Sequence, residues 1–153
     1  MELHETKIDI AKGKREKLVE MLNGSLADAM DLKSQAKQAH WNVKGGNFIA
    51  LHELFDQVAT AVETHADDLA ERVPTLGGTA MGTVRIAAER SSLSQYPLEI
   101  TDGTAHVDAL STAIADFGKK VRKNIDASDE LGDADTADLY TGISRSIDKL
   151  LWF

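Results

Sequence analysis

The chain has 153 residues, 42 % of them apolar and 27 % charged, which suits one folded domain of ordinary size. It contains no cysteine, so disulfides and thiolate metal sites are excluded, and any metal must be held by His, Asp, Glu or backbone oxygens. A formal net charge of −8 argues against a generally basic, nucleic-acid-binding surface.

The N-terminus, MELHETKIDIAKGKREK, lacks the apolar core of a secretory signal, and residues 1–14 read as a tail ahead of a folded domain at 15–153. No apolar stretch reaches the roughly 20 residues that cross a bilayer, so a cytoplasmic location is expected. From about Arg15 to Val43, Leu18, Leu22, Leu26, Ala29, Ala36 and Val43 recur at helical spacing. Gly45-Gly46 should end that helix, and Asn47 is a candidate cap for the next. The second helix is predicted over about Phe48 to Val73, with an apolar stripe from Leu51 and Phe55 to Leu69 and Val73; Pro74 and Gly77-Gly78 should stop it.

Residues 79–103 are mixed, with a short helix predicted over Val84–Arg90 and a loop at Tyr96-Pro97. A third long helix fits about Thr104 to Ala127 through Val107, Leu110, Ile114, Phe117, Val121 and Ile125. A fourth starts near Asp135 and carries Leu139, Ile143, Ile147, Leu150 and Leu151. Four helices with one long connection after the second describe an all-α, ferritin-like four-helix bundle whose crossover carries a short helix. Leu150-Leu151-Trp152-Phe153 is an apolar helical run with no stop signal, so the native chain is expected to continue.

The chemistry-bearing residues sit on the second helix. His52 and Asp56 are one turn apart on one face, and Asp67 and Glu71 repeat that spacing. From Asp56 to Asp67 the helix turns about 1100°, returning within roughly 20° of its start, so all four share one stripe. The two pairs are nonetheless about 16 Å apart along the axis, too far for one ion with bonds near 2 Å. Two copies packed antiparallel across a two-fold axis bring the His52/Asp56 end of one to the Asp67/Glu71 end of the other. His40 lies five full turns after Leu22, on the inward stripe of the first helix, and a hairpin through Gly45-Gly46 can set it beside His52. Two imidazoles and three carboxylates suit Fe(II). From spacing alone, a solvated face is the commoner meaning of such acid and His pairs, and a lone inward His is more often a hydrogen-bonded core residue.

The segment Lys37-Gln38-Ala39-His40-Trp41-Asn42-Val43-Lys44-Gly45, then Asn47-Phe48 and Leu51-His52-Glu53-Leu54-Phe55-Asp56, resembles the signature of the Dps family of mini-ferritins. Asp67-Asp68-Leu69-Ala70-Glu71-Arg72 with Leu76-Gly77-Gly78, Tyr96-Pro97-Leu98, Asp135-Thr136-Ala137-Asp138 and Lys149-Leu150-Leu151-Trp152-Phe153 continue the likeness in order. The resemblance implies a twelve-subunit hollow shell with ferroxidase sites at two-fold interfaces and hydrogen peroxide as the usual oxidant. It implies that His40, His52 and Asp56 come from one subunit and Asp67 and Glu71 from its neighbour, the same division the helix arithmetic reaches. Larger ferritins build a di-iron site within one chain with Glu-x-x-His, a tetrapeptide this sequence lacks. Fe(II) would bind, be oxidised to Fe(III) and move inward as mineral. Trp41, next to His40, is a candidate electron donor or an aromatic packing residue between helices.

Asp126, Asp129, Glu130, Asp133, Asp135 and Asp138 form an acidic run without a compensating base, read either as the lining of a cation pore, as the resemblance implies, or as solvated loop and helix-start acids. Glu63 falls on the ligand stripe near the expected two-fold axis and needs a Lys or Arg partner, a proton or a metal. His65 points away from the ligand stripe and reads as structural or solvent-facing, and His4 and His106 as surface residues. The first 17 residues carry five cations against four acids, so DNA binding, the family's second activity, is expected to be weak or absent, with nucleoid association conditional on it. Two rivals remain: a DNA-compacting structural cage with little ferroxidase activity, and a ferritin-like scaffold turned to zinc-dependent hydrolysis.

Overall fold

A computed structural model describes residues 3–153. Its helices are α1 (Lys12–Asn42), α2 (Phe48–Thr75), α3 (Val84–Arg90), α4 (Gly103–Glu130) and α5 (Ala134–Trp152). Short loops join α1 to α2 and α4 to α5, so each pair packs as an antiparallel hairpin. The two hairpins meet through α1 against α4 and α2 against α5, and α3 lies on α1. This is the four-helix bundle with one long crossover and a short helix within it. Among the described residues the sole β-type pairing is an isolated bridge between Lys44 and Asp102, and no helix is long and apolar enough to cross a membrane.

Each long helix turns one apolar stripe inward. Leu18, Leu22 and Leu32 of α1 meet Val62 and Leu69 of α2, Phe117 and Val121 of α4, and Tyr140, Ile143 and Ile147 of α5 in one continuous core. Several polar residues are buried with them. Ser25, Tyr140 and Asn124 hydrogen-bond to one another across three helices. Asn23, Asp28, Asp31 and Gln35 of α1 hold the crossover: the Asn23 amide donates to the Thr79 carbonyl, Asp28 accepts from the Ser92 amide at 2.7 Å, Asp31 accepts from the Ser91 hydroxyl, and Gln35 donates to the Ser94 carbonyl. Asp28 also pairs with Lys120 of α4.

Three helix ends differ from expectation, one of them that of α4, which runs three residues past Ala127 to Glu130. α1 starts at Lys12 rather than near Arg15, with the Lys14 and Arg15 amides bonded to the Ala11 carbonyl. α2 does not stop before Pro74: it runs through it to Thr75. Within the last turn a proline loses only one backbone bond, and Gly77, at φ 88°, is the true terminator. The Gly78 amide reaches back to the Val73 carbonyl and the Gly77 amide to Pro74, closing the turn in a Schellman arrangement.

Candidate metal centre

The α1–α2 hairpin brings His40 and His52 together. Their rings stack with centroids 3.7 Å apart and planes 20° from parallel. His40 Nδ1 donates to the His52 carbonyl at 2.7 Å, and His52 Nδ1 donates to the His40 carbonyl at 2.8 Å. A carbonyl can only accept, so each Nδ1 must carry hydrogen. In the neutral ring that leaves the Nε2 lone pair free. Phe48, one turn before His52, stacks on it at 5.0 Å and fixes the ring further. Two imidazoles with locked tautomers and unspent Nε2 atoms form a preorganised edge whose chemistry suits a metal ion.

Asp56 lies one turn beyond His52. Its Oδ1 accepts from Lys37 Nζ at 2.6 Å. That hydrogen bond holds the carboxyl below its ordinary value; the charges of Lys37, His40 and His52 act the same way, against desolvation. Sequence reasoning assigned Lys37 no role. The available signal was its position one turn before His40, on the same face of α1.

Asp67 and Glu71 are exposed on α2, and among the described residues their carboxylates have no ion-pair partner. The chain does not bring them to His52. No three His, Asp or Glu side chains among the described residues converge to hold a metal ion. One subunit carries an imidazole-rich edge at one end of α2 and a bare carboxylate pair at the other. Trp41 is 67 % exposed, so it does not pack between helices of its own subunit. Lys37 Nζ stands 5.8 Å over its ring. Glu63 finds its cation within the subunit, as an ion pair with Lys33.

Elsewhere three expectations need correction. The acidic run does have a compensating base: Arg72 Nη2 donates to both oxygens of Asp133 at 2.9 and 3.1 Å, and its Nε to Thr136 Oγ1. Asp133 is 2 % exposed and caps α5 through the Thr136 amide, so it lines no pore; Asp126, Asp129, Glu130, Asp135 and Asp138 remain exposed. His106 is not a surface residue but 1 % exposed, whereas Val107, expected in the core, is 40 % exposed. α4 begins one residue before Thr104, and His106, Leu110, Ala113 and Phe117 make its inward stripe. The His106 ring is accommodated because its Nδ1 shares a 2.7 Å hydrogen bond with the buried Tyr96 hydroxyl. His65 is half-buried, bonded through Nε2 to Ser146, and desolvation lowers its pKa, which fits a structural residue; His4 is exposed.

The Ferritin-like domain family matches residues 19–153. The DNA protection during starvation protein of Agrobacterium fabrum is 44 % identical over 153 residues, covering 100 % of this chain and 94 % of that protein. The tetragonal form of Mycobacterium smegmatis Dps has a TM-score of 0.93 at 30 % identity, over 98 % of this chain and 91 % of that one. Dps from Microbacterium arborescens in its high iron form gives 0.87 at 31 % identity, over 98 % and 95 %. The likeness thus extends in sequence and in backbone over the whole length, crossover included, and on that ground the chain belongs to the Dps family of ferritin-like proteins.

Proposed function

We propose that this chain is one subunit of a hollow, cytoplasmic iron-oxidising and iron-storing shell of twelve copies, with Fe(II) as its substrate. His40, His52 and Asp56 of one copy and Asp67 and Glu71 of a neighbour form the ferroxidase site across a two-fold axis. The observation that carries this reading is the reciprocal lock of the two imidazoles: both Nδ1 atoms are spent on carbonyls, so both Nε2 atoms are available to a cation. The exposed carboxylates of Asp67 and Glu71, lacking partners in their own subunit, supply the complementary half. The Microbacterium arborescens relative, whose solved form is a high iron one, adds weight to iron as the metal.

The chemistry asked of the site is modest. Imidazole and carboxylate hold two ferrous ions, and carboxylate charge favours the ferric product. Each ion gives up one electron; hydrogen peroxide takes both, its O–O bond breaks, and its oxygens end as hydroxide or oxide on iron. Water supplies the remaining oxygen of the oxyhydroxide and releases protons. Fe(III) then passes inward to mineral, and the joint consumption of iron and peroxide limits oxidative damage. Lys37 holds Oδ1 of Asp56 and so orients the carboxylate, leaving Oδ2 to the cation. DNA binding is proposed to be weak: the first residues carry nearly balanced charge, and Leu3 is buried against the bundle.

The test is Fe(II) oxidation by peroxide and by oxygen, comparing the wild type with His52→Ala/Asp56→Ala, assembly being checked by size. Loss of oxidation in an intact shell is expected; equal rates would remove the assigned site. A gel-shift assay at low salt on the same samples reads the DNA-compacting alternative.

A further inference from the structure

The chain has two tyrosines, and their hydrogen-bond partners differ in kind. Tyr140 is buried between α1, α4 and α5, with its hydroxyl 3.0 Å from Ser25 Oγ, an alcohol that cannot take up a proton. The buried Tyr96 hydroxyl lies 2.7 Å from Nδ1 of His106, a base. Desolvation lowers the His106 pKa, opposed by the nearby carbonyls of Asn42 and Ile100 and the charge of Asp102, and Nε2 has no hydrogen-bond partner among the described residues. Carbonyls only accept, so their nearness to the ring favours the neutral tautomer with its proton on Nε2. Nδ1 is then left to accept from the Tyr96 hydroxyl. The structural alternative, a buried phenol simply satisfied by a neighbour, would be met equally well by an alcohol or an amide.

The pair sits directly behind the metal-binding edge. The His106 ring is 6.3 Å from that of Phe55, which is next to Asp56 and one turn after His52. Asn42, whose carbonyl faces the His106 ring, is two residues after His40. From this arrangement we infer that Tyr96 and His106 are a proton-coupled electron donor, which quenches one-electron oxidants formed at the iron edge. The oxidant arises when the iron site proposed above is only half filled, and the inference rests on that reading for its source. When a single ferrous ion meets peroxide, one electron moves, the O–O bond breaks, and hydroxide and a hydroxyl radical result. That radical takes one electron from Tyr96 and becomes hydroxide. The phenolic proton passes to Nδ1 of His106, leaving a neutral phenoxyl and an imidazolium, the form that the carbonyls of Asn42 and Ile100 favour. Burial pushes the Tyr96 phenol up to about 12, so losing the proton alone is unfavourable, and the coupled transfer avoids a buried phenolate.

The experiment mixes the assembled protein, labelled with deuterated tyrosine, with limiting Fe(II) and peroxide and reads the electron paramagnetic resonance spectrum. Wild type and Tyr140→Phe should give a tyrosyl signal whose hyperfine structure narrows with the label; Tyr96→Phe should lose it. His106→Gln keeps a hydrogen-bond acceptor without a usable base and should lose the signal as well, a result no packing role predicts. A signal unchanged in Tyr96→Phe or His106→Gln, or one lost in Tyr140→Phe, would overturn the inference. A second arm generates azide radicals by pulse radiolysis with no iron present and follows indolyl radicals converting to phenoxyl. If Fe(II) is not oxidised but this arm shows conversion that depends on Tyr96 and His106, the pair stands and the ferroxidase reading falls. If Fe(II) is oxidised and neither arm shows a Tyr96 radical, the ferroxidase reading stands and the pair falls.

Discussion

Lys37 holds one oxygen of Asp56, the carboxylate proposed above to bind Fe(II), and its charge opposes a cation there. The ammonium is part-buried and the carboxylate half exposed, so the pair orients Asp56 more than it stabilises the fold. Lys37→Gln should therefore tighten Fe(II) binding by a factor of a few without lowering the melting temperature, as read by an Fe(II) titration of the assembled protein. Asp133 shows the opposite balance. Burial raises its pKa, but hydrogen bonds from the Thr136 hydroxyl and amide and from Arg72 outweigh it, leaving the carboxyl below its ordinary 3.8. A depressed folded value contributes stability that is present above 3.8 and lost as pH falls through the folded value. Asp133→Ala removes the α5 cap and strands Arg72, and should cost about 2 kcal/mol at neutral pH. Chemical denaturation at neutral pH and below pH 3.8 should show the gap between wild type and variant narrowing in acid. Neither Lys37 nor the burial of Asp133 was legible in the sequence, because a charged residue on a helix looks the same whether its partner is water or a side chain 61 positions away.

At the scale of elements, the C-terminal turn of α2 is clamped by the segment that precedes α1. The His4 amide donates to the Gly77 carbonyl at 2.7 Å, buried Arg15 donates to the Leu76 and Ile10 carbonyls, and Leu3 packs into the core. A Cβ at Gly77 would stand 2.6 Å from the His4 carbonyl oxygen, in a backbone conformation that L residues avoid. Gly77→Ala should destabilise by about 2 kcal/mol and detach this segment, seen as faster amide exchange at His4 with α1 still protected. The clamp lies just beyond Glu71, at the end of α2 that carries the Asp67 and Glu71 carboxylates. The helices themselves were readable from apolar spacing, and α3 was found at its observed bounds. The reading failed where a polar residue takes an inward position: His106 displaced Val107 from the stripe because Tyr96, on the crossover, satisfies its ring.

For the whole molecule, a site divided between copies makes a prediction that a site within one chain cannot. Take one shell variant with His52→Ala/Asp56→Ala and another with Asp67→Ala/Glu71→Ala, each inactive alone. When the two are unfolded together and reassembled in equal amounts, half the pairings are mixed, and each mixed pair contains one intact site and one doubly damaged one. Recovery to about one quarter of the wild-type Fe(II) oxidation rate is expected. No recovery in correctly sized shells would mean that the ligands do not come from two subunits. The exposed Trp41, Phe48 and Ile49 around the imidazole edge are the apolar surface such a pairing would cover.

The sequence by itself determined the long helices, the crossover and the shared stripe of His52, Asp56, Asp67 and Glu71, because side-chain periodicity along a helix is a local property. It also required that the two ligand pairs be too distant to meet within one helix, which is a matter of rise per residue. The tertiary structure decided how the candidate ligands are held. His40 and His52 exchange Nδ1 hydrogen bonds with each other's carbonyls, Lys37 reaches Asp56, Arg72 reaches Asp133, and Tyr96 meets His106. Each of these joins residues from different elements, and hydrogen bonding depends on distances of a few tenths of an ångström that no one-dimensional pattern encodes.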